Sequence, residues 1–388
     1  MTAYATLADL RTRMFGYSLA FAAREARIDE ARLGQIETDQ APTVAEIERL
    51  AEIYGLDGDT LAELPIEVPA RDAITALSLL TEFREISAGS KRQLVLAASA
   101  ARDVVDLREL LRRPRGYDAL HARHHPPAPK PELSPYRQGA HFAQEWRSAL
   151  GMGNGPIPSV RDFVQGAFPE VAILFVDFGN DDLSGVCFLD AVRGPAIVLN
   201  ASGKNENPLV RRFSLLHELG HLLFDATRGV PLAAISGFHL DRQRVVEQRA
   251  NAFAIRFLCP YAKLQELAER HSASDASARL QQTWGLHYAA AKHDLDMYGV
   301  DATTEAPPEG QLAYGVLPKW LEAEDWALGR FPLESVPLHR RTNVARLAAR
   351  AYSRDCFGRD RFARYLAVTP AEDVERVVHF YGLELPDA

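Results

Sequence analysis

Apolar residues recur at helical spacing through most of the chain, and one stretch near its middle changes to a strand pattern. Residues 5–66 read as a compact set of short helices, closed by Pro65 and Pro69. From about 71 to 113, Leu77, Leu79, Leu80, Phe83 and Ile86 mark a second helical segment. Three apolar runs follow, 171–178, 185–189 and 195–199. They are rich in β-branched and aromatic residues and are separated by Gly, Asn and Asp. These predict a small three-stranded sheet. After an Asn/Gly/Lys loop at 200–208, the run RRFSLLHELGHLLF predicts a helix. A further helix over 244–258 stops before Pro260. Beyond a Pro/Glu/Thr-rich stretch that opens at 301, residues 344–352 and 371–380 are the clearest helices. The expected class is α+β and predominantly helical.

Proline placement divides the chain further. Residues 112–140 hold six prolines, which rules out one continuous helix or a central strand and reads as a linker or extended arm. The expected units are 1–68, a helical connector at 69–112, a Pro-rich linker at 113–140, a core at 141–262, a helical extension at 263–300 and a helical C-terminal region at 301–388.

Composition narrows the class only slightly. The 388 residues are 47% apolar and 25% charged, ordinary for a globular protein. No apolar run is long enough to cross a bilayer, and the N-terminus lacks a basic region followed by an apolar core. Cys187, Cys259 and Cys356 are odd in number and widely spaced, with no CxxC, which fits a reducing compartment; the expected location is cytoplasmic. The net charge of −8 gives no bulk attraction to nucleic acid.

The chemistry concentrates in His217-Glu218-Leu219-Gly220-His221, an HExxH motif within the apolar helical run. Residues 217 and 221 lie one helical turn apart, so both imidazoles leave the same face and can grip one Zn²⁺. Glu218 between them is placed to take a proton from water at the metal. A catalytic site needs a third protein ligand, and Glu247 on the next helix supplies one. Asn251, four residues on, shares its face and is positioned to accept the outer N–H of a ligating histidine. Mn²⁺ and Fe²⁺ suit the same donor set. His239, eight residues before Glu247, is a candidate oxyanion stabiliser; a plain loop histidine is the alternative.

RRFSLLHELGHLLF followed by VVEQRANAFAIRFLCP resembles the ImmA/IrrE family of metallopeptidases, over roughly residues 155–260. The resemblance implies a zincin-like core, with His217, His221 and Glu247 as ligands and Glu218 as catalytic acid/base. Many members carry a second acid directly before the Ala of this motif; Arg249 stands there instead. The family's usual Ser after the trailing Gly-Leu is here His287. The implied activity is a site-limited endopeptidase acting on a protein substrate, typically a transcriptional repressor, in a stress or mobile-element response.

Residues 9–64 resemble an Xre/Cro-type helix-turn-helix, with 18–26 as supporting helix and 29–38 as recognition helix. Arg24, Arg27, Arg32 and Gln35 are its candidate DNA or partner contacts. Residues 1–65 nevertheless hold six arginines, no lysine and twelve acidic residues, a net of −6. DNA binding normally draws on a basic face, so a protein-interaction or weakened DNA-binding role is the favoured reading. The rival is an Xre-type regulator whose peptidase-like domain senses a ligand or partner. Xre-type modules often pair, which leaves a homodimer open.

Overall fold

The computed structural model describes every residue except 1, 5, 57, 63, 65, 69–72, 115, 124–131, 180–181, 227–229, 238–244, 301–317 and 387–388. At the N-terminus three successive helices begin where the sequence supplies a cap. Ser18 caps Leu19–Ala26, Asp29 caps Glu30–Thr38, and Thr43 with Glu46 forms a capping box on Val44–Tyr54. Two short strands, β1 (Thr2–Tyr4) and β2 (Ile66–Val68), pair antiparallel and tie the two ends of this module together.

The central sheet contains β3 (Ala172–Val176), β4 (Leu183–Asp190), β5 (Gly194–Asn200) and β6 (Leu232–Gly237), in the order β3-β5-β4-β6. β3 runs parallel to β5; the other two pairings are antiparallel. The expected three-stranded sheet is therefore four-stranded. β6 escapes the sequence pattern because LAAISG has one β-branched residue and no aromatic. The Pro-rich stretch also holds more structure than expected. Gly116–Arg123 is helical, and Pro135 opens the helix Pro135–Ala149, where a missing N–H costs nothing.

The period-two alternation of the strands serves two cores. Ala172, Leu174, Val176, Val186, Phe188, Val198 and Ile235 face a core shared with the N-terminal helices, the long helix Ala88–Leu110 and the C-terminal helices. Ile173, Phe175, Cys187, Leu189, Ile197 and Leu199 face a second core, under the helices Pro208–Phe224 and Val245–Leu258. Both cores run across the boundaries expected from composition. Arg193, in the β4–β5 turn, pairs with Asp190 at 3.0 Å and donates to the carbonyl of Gly55, at 2.9 Å, where Val44–Tyr54 ends. On the outer side of β3, Asn343 accepts from the N–H of Ile173 at 3.1 Å and Thr342 donates to its carbonyl, so the C-terminal region closes that sheet edge.

Candidate metal centre

The helix Pro208–Phe224 starts cleanly because Asn207 accepts from the N–H of Leu209 at 2.9 Å and Pro208 occupies its first position. It lies against β4 and β5 and is buried along nearly its whole length. His217 and His221 leave one face, towards Glu247 in the first turn of Val245–Leu258. Gly220 lets the two helices approach: a Cβ there would stand 3.2 Å from Cδ1 of Phe253.

The donor atoms converge. His217 Nε2 lies 3.2 Å from Glu247 Oε2, His221 Nε2 lies 3.4 Å from Glu247 Oε1, and the two Nε2 atoms are 3.1 Å apart. Metal–donor bonds of about 2.0–2.1 Å in a tetrahedron put neighbouring donors roughly 3.3 Å apart, so the set has the spacing a zinc ion requires. His217 Nδ1 is 2.9 Å from Asn251 Oδ1, and His221 Nδ1 is 2.7 Å from Asp225 Oδ2. Both outer nitrogens thus donate outwards, which turns both Nε2 lone pairs inward. Asp225 is in turn ion-paired with Arg249. Asn251 Oδ1 thus lies within hydrogen-bond distance of the outer nitrogen of His217. Asp225 was not singled out from sequence, although its spacing four residues after His221 was visible.

Electrostatics agrees with this donor set. Burial favours the neutral form of His221, but the carboxylates of Asp225 and Glu247 outweigh it and push its pKa up to about 10. Burial also disfavours the Glu247 carboxylate, yet the two histidines hold it well below the usual carboxylate range. The set attracts positive charge, which a divalent cation would supply. Among the described residues, His217, His221 and Glu247 form a group able to hold a metal ion.

Glu218 lies between the donor set and the sheet, against Gly185. It is fully buried, and burial raises its pKa while the two histidines oppose the shift. Gly185 on β4 makes room for it: a Cβ there would stand 2.9 Å from Glu218 Oε1 and 3.2 Å from the carbonyl of Val198. Among the described residues neither carboxylate oxygen has a well-aligned hydrogen-bond partner, and the buried Ser236 hydroxyl on β6 and the Cys187 thiol on β4 face it. A buried, under-satisfied carboxylate beside three convergent donors is what a water-activating site leaves open.

Residues 169–296 match the model described as IrrE N-terminal-like domain, of the peptidase M78 family, and residues 5–64 match a helix-turn-helix domain model. No curated protein matches the chain. The matched segment contains all three donors and Glu218, and it ends within the second helix of the trailing pair Ala273–Trp284 and Tyr288–Tyr298. Between those helices His287 acts as the cap: its Nδ1 accepts from the N–H of Ala290 at 3.3 Å, the task a serine hydroxyl performs at such a position. Its ring meets Phe213 edge-on at 5.5 Å, one helical turn before His217.

His239 lies outside the described residues. In the helix-turn-helix module, Arg24, Arg27 and Gln35 are exposed. Arg32 is committed elsewhere: it forks onto Glu46 at 2.9 and 3.0 Å and also donates to Gln40 and the carbonyl of Ala41.

Proposed function

We propose that the chain is a metal-dependent endopeptidase that cuts a protein partner at few sites. The observation that carries this reading is the convergence of His217, His221 and Glu247 beside a buried Glu218. Those three residues would hold the ion, with Zn²⁺ favoured and Mn²⁺ or Fe²⁺ as alternatives. When bound there, the metal polarises a peptide carbonyl and makes a water molecule more acidic. Glu218 takes the proton from the attacking water and delivers it to the leaving amine. Asn251 and Asp225 keep the two imidazoles in register. The resemblance to ImmA/IrrE proteins points to a transcriptional repressor as substrate and to a cytoplasmic stress or mobile-element response. With zinc added, the purified chain is expected to cut such a repressor into discrete fragments. Glu218→Gln should bind one equivalent of metal and release none; full cleavage by that variant would sink the reading.

A regulator is the second reading, supported by the helix-turn-helix match. The acidic balance of the module and the commitment of Arg32 to Glu46 favour a protein contact through Arg24, Arg27 and Gln35 over operator binding. A specific gel shift on the chain's own promoter that weakens when Gln35→Ala is introduced would reverse that preference.

A further inference from the structure

Residues 330–366 hold nine arginines against three acidic residues, a net of +6 in a chain whose overall charge is −8. Several are committed. Arg340 pairs with Asp103 at 2.7 Å, Arg341 donates to three backbone carbonyls, and Arg359 pairs with Glu375 at 3.1 Å. Three of the others stand together. Arg346, Arg350 and Arg354 recur every four residues along the helix Asn343–Ser353 and its cap, so they line one face. This helix packs along Ala88–Leu110, and Arg113, just past the end of that helix, joins the same electrostatic neighbourhood.

Among the described residues, none of the four side chains has a carboxylate partner, and the buried Nε of Arg346 lacks a hydrogen-bond acceptor. Arg346 feels Tyr381, Arg113, Arg350 and Arg161; Arg350 feels Arg113 and Arg354. Burial lowers the pKa of both, and the neighbouring cations push the same way. Like charges four apart destabilise a helix, and the C-terminal dipole offsets this only in the last turn. Arg346, Arg350 and Arg113 are half-buried and Arg354 is exposed, so the seam opens to solvent at one end. Such a cluster calls for an anion, and guanidinium forks suit phosphate oxygens.

We propose that this seam binds the phosphate backbone of a nucleic acid. Successive guanidiniums step about 6 Å along the helix, so the three span roughly 12 Å, more than one phosphate can bridge. The helix-turn-helix module, with its net charge of −6, neutralises few phosphates itself, which leaves the seam as the stronger phosphate-binding element of the two. The inference is independent of the metal centre.

The test is fluorescence anisotropy of the full chain with a labelled mixed-sequence duplex across a salt series. The expected result is binding at about 50 mM salt with log affinity falling linearly in log salt. Arg350→Gln/Arg354→Gln should weaken it about tenfold and reduce the slope by about 2, and Arg350→Lys/Arg354→Lys should restore the slope. If the double variant melts early, Arg354→Gln alone should still reduce the slope by about 1. No binding, or an unchanged slope in a folded variant, would overturn the proposal. So would displacement by inorganic phosphate beyond chloride at equal ionic strength, which marks a small-anion site. Poly-glutamate competing as well as unlabelled duplex would assign the seam to acidic protein instead.

Discussion

Arg249 is ion-paired with one oxygen of Asp225, while the other oxygen of that carboxylate lies 2.7 Å from Nδ1 of His221. Arg249 thus braces the partner of a candidate ligand. Both residues are expected to matter through metal binding. Asp225→Asn and Arg249→Ala should each weaken zinc affinity about 10- to 100-fold in a chelator competition. The double variant Asp225→Asn/Arg249→Ala should cost less than the sum, because the two act through one contact. Additive losses would mean that they act separately.

Gly185 sets the position of Glu218. Gly185→Ala places a methyl 2.9 Å from Oε1 and against the backbone of Val198, so the carboxylate must shift. The expected outcome is lost cleavage with metal stoichiometry intact and a stability loss of about 1–3 kcal/mol. Elemental analysis and urea unfolding of the same sample check both halves.

His287 is expected to be replaceable at its cap. His287→Ala should lower stability by about 0.5–2 kcal/mol, and His287→Ser should recover most of that in thermal melts.

Acid should weaken the fold through His339. Burial, reinforced by Arg340 and Arg92, lowers its pKa to about 3, so the folded chain keeps it neutral. The unfolded chain takes up that proton below about pH 6.5. Stability from this residue is therefore complete above pH 6.5 and is lost as pH falls towards 3. Urea midpoints of His339→Gln should fall less steeply between pH 7 and 5 than those of the parent. An equal slope would show that His339 is not a source of the acid sensitivity.

Much of the centre was legible because its parts are local. HExxH places two candidate ligands and a candidate proton acceptor by helical period, and Glu247 and Asn251 repeat the logic on the next helix. Asp225 sits at the same spacing from His221, but it lies at the C-cap, past the apolar run, where the helical period carries no further signal. Gly185 and Ser236 come to Glu218 from two strands, and only the tertiary register brings them there. The fold shows the same divide. β3, β4 and β5 announce themselves by composition. β6 does not, and the β1–β2 pairing joins segments more than sixty residues apart. Pro135 reads as a breaker within a proline-rich stretch, yet at the first position of a helix it is well suited.

The shared first core bears on how this protein can be divided. Removing residues 1–112 would strip the cover from Leu174, Val176, Phe188 and Val198, a broad greasy surface opposite the metal centre. Expression of residues 113–388 by themselves should yield sticky, aggregating material. Evolution meets the same constraint: neither half is freely exchangeable, since a new partner would have to rebuild the interior side of the sheet as well as its own outer face.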